Sequence, residues 1–121
     1  MPLFRMLVVA AVLAALTLTA SAGAGTAALP RIAGTVGPGF TIALKRFNKP
    51  LRTLRPGRYS ITLADRSNIH NFHLKGPGVN RHITTVGFVG TKTVIVALKR
   101  GLYTFVCDPH FTSMKGSFRV T

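Results

Sequence analysis

The chain has almost no acidic side chains: among 121 residues there is no glutamate, and the only aspartates are Asp65 and Asp108. Set against 16 Lys and Arg, this gives a formal charge of +14, or +13 if Arg5 is lost with a cleaved leader. Such a field attracts acidic partners and anionic surfaces. Nucleic acid is the usual partner of so basic a chain, but the N-terminus described below reads as an export signal and argues against it. Cysteine is nearly absent too. With Cys107 alone, no internal disulfide can form, although small exported domains often depend on them. A single thiol in an oxidising compartment calls for a protecting role, and metal ligation supplies one. No cysteine follows the N-terminal apolar run, so a lipid-modified N-terminus is excluded, and no twin-arginine pair precedes it. No amphipathic helix of useful length is evident after that run.

What is present begins with Arg5, a short basic segment, and an apolar or small run from Met6 to Leu18 that leads to Ala20-Ser21-Ala22. This order reads as a secretory signal peptide over residues 1–22, with cleavage sites as late as residue 28. The alternative, an uncleaved anchor that keeps the chain membrane-associated, is disfavoured because a spanning helix needs about 20 apolar residues. Residues 23–38, rich in Gly, Ala and Pro, read as a linker. Residues 39–121 then form one small domain.

Within that domain the hydrophobic pattern has a period of two. Strands are predicted at 40–45, with Phe40, Ile42 and Leu44 on one face, and at 59–63, with Tyr59, Ile61 and Leu63 on one face. Further strands are predicted at 69–74, 84–89, 91–98, 102–107 and 116–120. Seven short strands punctuated by turn signals indicate an all-β antiparallel sandwich or barrel. A faint repeat supports this: Leu54-Arg55-Pro56-Gly57-Arg58-Tyr59 resembles Leu98-Lys99-Arg100-Gly101-Leu102-Tyr103. Each copy feeds a segment bearing metal-ligand residue types, so both are expected to deliver those residues to the same end of the sandwich.

The chemistry concentrates in Cys107-Asp108-Pro109-His110-Phe111-Thr112-Ser113-Met114, which holds the only cysteine, a histidine and the only methionine outside the N-terminal segment. Thiolate, imidazole and thioether form a soft set that suits copper and that magnesium and calcium refuse. A trigonal copper site needs a second imidazole. His70 and His73 compete for that place. They lie three positions apart, so a strand would point them to opposite faces. His70 shares its face with Phe72 and Leu74, the core face, and is the expected ligand. His73→Ala is accordingly expected to be nearly neutral. His82 is read as a surface histidine that pairs with no other ligand. Asn71 is a candidate to hydrogen-bond Asp108 and tie the two ligand segments together.

His70-Asn71 upstream, followed by Cys107-x2-His110-x3-Met114, resembles the small type 1 blue copper proteins, the cupredoxins of the plastocyanin, amicyanin and azurin kind. The loop spacing falls between the plastocyanin-like and amicyanin-like forms. The resemblance implies a Greek-key β-sandwich with one type 1 copper ion at one end. His70, Cys107 and His110 would lie in its plane, Met114 on its axis, and Asn71 and Asp108 outside it. It further implies an exported, monomeric electron carrier, periplasmic or extracellular, and not an enzyme. His110 would be the electron port within a collar of Pro109 and Phe111, facing an acidic redox partner or an anionic membrane surface. Two other readings use the same residues differently: an envelope copper carrier or buffer with no redox partner, and a metal-free binding module. A catalytic copper oxidase is disfavoured, because no second group of histidines exists to build its centre.

Overall fold

The computed structural model describes residues 27–121, so the expected leader over residues 1–22 lies outside the described residues. Among the described residues ten strands follow one another: β1 Arg31–Val36, β2 Ile42–Arg46, β3 Lys49–Pro50, β4 Thr53–Leu54, β5 Gly57–Asp65, β6 Phe72–Gly76, β7 Val79–Thr84, β8 Gly90–Leu98, β9 Gly101–Val106 and β10 Lys115–Val120. One turn of 3-10 helix, Asp108–His110, interrupts them. The strands form two five-stranded sheets, in the orders β3-β2-β1-β5-β8 and β4-β10-β9-β6-β7. Most neighbours are antiparallel, but β1 runs parallel to β5 and β4 parallel to β10, so both sheets are mixed.

Alternation explains the sandwich. Along β5, Tyr59, Ile61 and Leu63 are buried, while Thr62 faces outward and pairs its hydroxyl with that of Thr93 on β8 at 2.9 Å. Val94, Val96 and Leu98 of β8 point inward between exposed Thr93, Ile95 and Ala97. The second sheet contributes large rings: Phe72 stacks on Phe105 at 5.5 Å between centroids, and Tyr103 on Phe118 at 5.2 Å. These inward faces meet in a single core that also encloses Cys107 and Met114.

The repeated Leu-to-Tyr segments have a structural counterpart. Tyr59 donates its hydroxyl proton to the Arg55 carbonyl at 2.7 Å. The Tyr103 hydroxyl accepts the Lys99 N–H and donates to the Pro77 carbonyl, both at 2.9 Å. In each case a buried phenol finds its polar partner at the corner four residues upstream, as a buried Tyr requires. Gly101, at φ 142°, makes the tight entry into β9 that a side chain would resist.

Four sequence expectations are corrected here. The segment 23–38 is not all linker: β1 occupies Arg31–Val36 and lies between β2 and β5. Its Gly and Ala content hid an alternation in which Ile32, Gly34 and Val36 face inward. Gly34 is there for close packing, since a Cβ would stand 2.8 Å from Leu44 and 2.9 Å from Leu63 side-chain carbons. The first expected strand starts later, at Ile42, which leaves Phe40 outside it and 62 % exposed. The strand expected at 69–74 begins only at Phe72, because a turn precedes it in which Asp65 Oδ1 accepts the Ser67 N–H at 3.2 Å. The strand expected at 84–89 instead ends at Thr84; Phe88 N–H bonds back to the Thr85 carbonyl and Gly87 has φ 95°, so 85–89 is a turn.

Candidate metal centre

Cys107 is the first residue past β9. From there the chain closes a compact loop through its own backbone. The Cys107 N–H bonds to the Met114 carbonyl at 3.0 Å, and the Met114 and His110 N–H groups bond to the His110 and Cys107 carbonyls at 2.9 and 3.0 Å. Pro109 fits the start of the 3-10 turn, where its missing N–H costs nothing. The loop is therefore fixed independently of any ligand, and β10 carries the chain away from it.

Three donor atoms converge above this loop. Cys107 Sγ lies 3.6 Å from His70 Nδ1 and 3.5 Å from His110 Nδ1, and the two Nδ1 atoms are 3.0 Å apart. A point equidistant from all three lies about 2.0 Å from each, the order of a metal–nitrogen bond and slightly under a metal–thiolate bond. The His70 Nε2–H donates to the Gly39 carbonyl at 2.8 Å, because a carbonyl can only accept. That bond fixes the tautomer and leaves the Nδ1 lone pair facing the common point. Cys107 and Met114 are fully buried and His70 is 1 % exposed, whereas His110 is only half-buried. Pro109 and Phe111 beside it are exposed.

Phe40 also belongs to this end of the molecule, and the sequence did not point to it. Its ring meets His70 at 5.4 Å and His110 at 4.9 Å between centroids, edge-on in both cases. The turn that displaces Phe40 from the first strand is the same turn that aims the Gly39 carbonyl at His70. Nothing in the period-two pattern distinguishes such a phenylalanine from an inward-facing one.

The two ligand-bearing segments are latched together. Asn71 Nδ2 donates to Asp108 Oδ2 at 2.7 Å, and Asn71 Oδ1 accepts the Asp108 backbone N–H at 2.7 Å. Burial pushes the Asp108 carboxyl up, but hydrogen bonds from His73 and Asn71, with the charges of His73 and His82, outweigh it and hold the group below its ordinary value. His73 is buried, with Nδ1 3.0 Å from both Asp108 oxygens and Nε2 against Asn80 Oδ1. It is not the solvent-facing residue that alternation implied, because Asp108 and the β7 strand cover it. His82 is exposed, as expected of a surface histidine, but stacks on His73 at 3.7 Å and reaches Asp108 Oδ2 at 3.3 Å. The signal was present: Gly76-Pro77-Gly78 is a hairpin turn, and folding the chain about it sets His73 opposite His82.

Asn71→Ala removes both halves of the latch. It orphans the Asp108 backbone donor, at about 1–3 kcal/mol for a buried group, and takes one donor from a carboxylate that His73 still holds. Asp108 is partly open to water, which recovers some of this, so the expected loss is about 1–3 kcal/mol in all. Urea unfolding of the metal-free protein measures it, and an unchanged midpoint would discard the latch.

No family model and no curated protein matches the chain by sequence. Solved structures match it in fold. Rusticyanin from Thiobacillus ferrooxidans matches with TM-score 0.53 and 23 % identity over 75 % of this chain and 76 % of its own. A rusticyanin variant reaches TM-score 0.56 at 21 % identity over the same shares. Auracyanin A, a "blue" copper protein of the green thermophilic photosynthetic bacterium Chloroflexus aurantiacus, matches with TM-score 0.53 and 19 % identity over 75 % of this chain and 98 % of its own. At such identities the likeness is one of fold: this all-β sandwich of two mixed sheets is built as those proteins are.

Proposed function

We propose that this chain is a mononuclear type 1 copper protein that carries single electrons outside the cytoplasm. The observation that carries the reading is the convergence of one thiolate sulfur and two imidazole Nδ1 atoms, 3.0–3.6 Å apart, at the end of a sandwich shared with blue copper proteins. The donor set excludes hard ions, and a fully buried methionine closing the same loop favours copper over zinc. When bound, copper would supply a one-electron couple at this point. His70, Cys107, His110 and Met114 would hold it.

The rest of the mechanism belongs to the protein. Gly39 and the Asn71–Asp108 latch hold His70 and the cysteine loop in place before any ion arrives. A scaffold set in advance changes little between two oxidation states of its ligand, which keeps the cost of electron transfer small. Cys107 and Met114 belong to the hydrophobic core, which excludes water from that side. Only His110 reaches outward, among Phe40, Pro109 and Phe111, so its ring edge is the shortest route for an electron to a docked partner. Held by four protein ligands, the ion would have no open position for a substrate, which a catalytic metal needs. The basic surface fits an acidic redox protein or an anionic membrane face, an attraction that salt screens.

Burial also argues against a copper carrier or buffer. Such a protein must hand its metal over, yet Cys107, His70 and Met114 are all closed off. One equivalent of Cu(II) added to residues 27–121 distinguishes the readings. An intense visible thiolate-to-copper absorption with a narrow copper hyperfine pattern in paramagnetic resonance is expected. A colourless protein that binds only Cu(I) would favour the carrier, and indifference to copper would leave a binding module.

A further inference from the structure

The β6–β7 hairpin holds a second group of metal-ligand side chains that the electron-transfer reading does not use. His73 and His82 are direct partners across the two antiparallel strands, and Asp108 reaches them from the 3-10 turn. One donor atom from each of the three lies within 4.8 Å of the others. We propose that His73, His82 and Asp108 form a second, solvent-accessible site for a borderline divalent cation of the Zn2+ or Cu2+ class.

The hydrogen bonding leaves a place for such an ion. Both ring nitrogens of His73 face oxygen acceptors, Nδ1 the Asp108 carboxylate and Nε2 the Asn80 side-chain oxygen. One ring proton cannot serve both. A cation between Nδ1 and the carboxylate, 3.0 Å apart, would take over from the Nδ1–H donor and let the ring proton sit on Nε2, facing Asn80. The His82 ring lies 3.7 Å from the His73 ring and brings a second imidazole to the same place. Asp108 completes the set, its Oδ2 standing 3.3 Å from His82 Nε2.

Access and selectivity follow from the same residues. The His82 side chain is 52 % exposed and that of Asp108 41 %, so an ion can enter from solvent and keep water in its remaining positions. His73, locked by Asn80, supplies a rigid first ligand, and the exposed His82 ring can turn out of its stack to bring Nε2 onto the ion. Two imidazoles and one carboxylate suit zinc and Cu(II), and exclude the magnesium and calcium that all-oxygen sites prefer. Carboxylates are scarce in this chain, and one of its two lies here. Asp108 follows Cys107 directly, so a cation held here adds positive charge beside the cysteine loop.

Zinc, which has no visible absorption of its own, tests this. Protein carrying one equivalent of Cu(II) is dialysed against Zn2+ and its bound metals are counted. Wild type is expected to retain one zinc and to show a shifted blue absorption. His82→Ala, a change at an exposed ring, is expected to bind that zinc at least tenfold more weakly and to leave the absorption unshifted. No zinc retained, or equal retention by His82→Ala, overturns the proposal. The metal-free chain keeps this separate from the copper reading: there His82→Ala removes one zinc equivalent whether or not the Cys107 site takes copper.

Discussion

Cys107→Ser mixed with Cu(II) is expected to be folded and colourless. The visible absorption of a trigonal copper–thiolate site is a charge transfer from sulfur, so removing the sulfur abolishes the band and does not merely shift it. A serine hydroxyl stays protonated at neutral pH and is a poor ligand for either copper state. The fold has reason to survive. The loop is closed by backbone bonds from Cys107 to Met114 and from Met114 to His110, none of which involves the thiol. The new hydroxyl is buried, at a cost of about 1–3 kcal/mol without a partner, and His70 Nδ1 and His110 Nδ1 stand close enough to lessen it. Absorbance and circular dichroism of the variant check both halves. Retained colour would remove Cys107 from the site and with it the electron-carrier reading.

How far the chain could be read without its structure depended on which signals were local. Tyr59-Ile61-Leu63 and the β-branched run into Leu98 each declare a strand by simple alternation, and both strands are found there. The cysteine loop was legible because its three metal-ligand residue types lie within eight residues, and the Leu-to-Tyr repeat placed its two halves at one end. Pairing Asn71 with Asp108 required no more than two segments meeting at that end, and the structure joins them by two bonds. The failures were of another kind. β1 carries Gly34 because Leu44 and Leu63 crowd that position from neighbouring strands, a long-range cause that local composition disguises as a linker. Phe40 looked inward-facing because alternation was extended through a turn it could not detect. His73 looked solvent-facing because period two names the face of a strand but not what covers it. Here Asp108, far along the chain, and His82, across the hairpin, bury that face.

His73 therefore leads to a prediction opposite to the one alternation gave. His70→Ala and His73→Ala are both expected to be harmful, but in separable ways. His70→Ala deletes a donor atom at the common point. Losing a residue that merely orients a ligand costs about 10–100-fold in metal affinity, so losing the ligand itself must exceed that, and the blue colour with one equivalent of Cu(II) should be absent. His73→Ala leaves Cys107, His70 and His110 untouched, and the colour should remain. What it removes is the principal partner of the Asp108 carboxylate and a buried ring seated between Asn80 and His82. Losing one hydrogen bond to a charged acceptor costs about 1–3 kcal/mol, Asn71 keeping the other, with a further penalty for the cavity. The urea midpoint of the metal-free variant should fall accordingly. Absorbance and unfolding measured on the same two proteins decide the matter. A blue His70→Ala would show that the Nδ1 atoms meet without sharing an ion, and a His73→Ala of undiminished stability would show that the carboxylate does not depend on its neighbour.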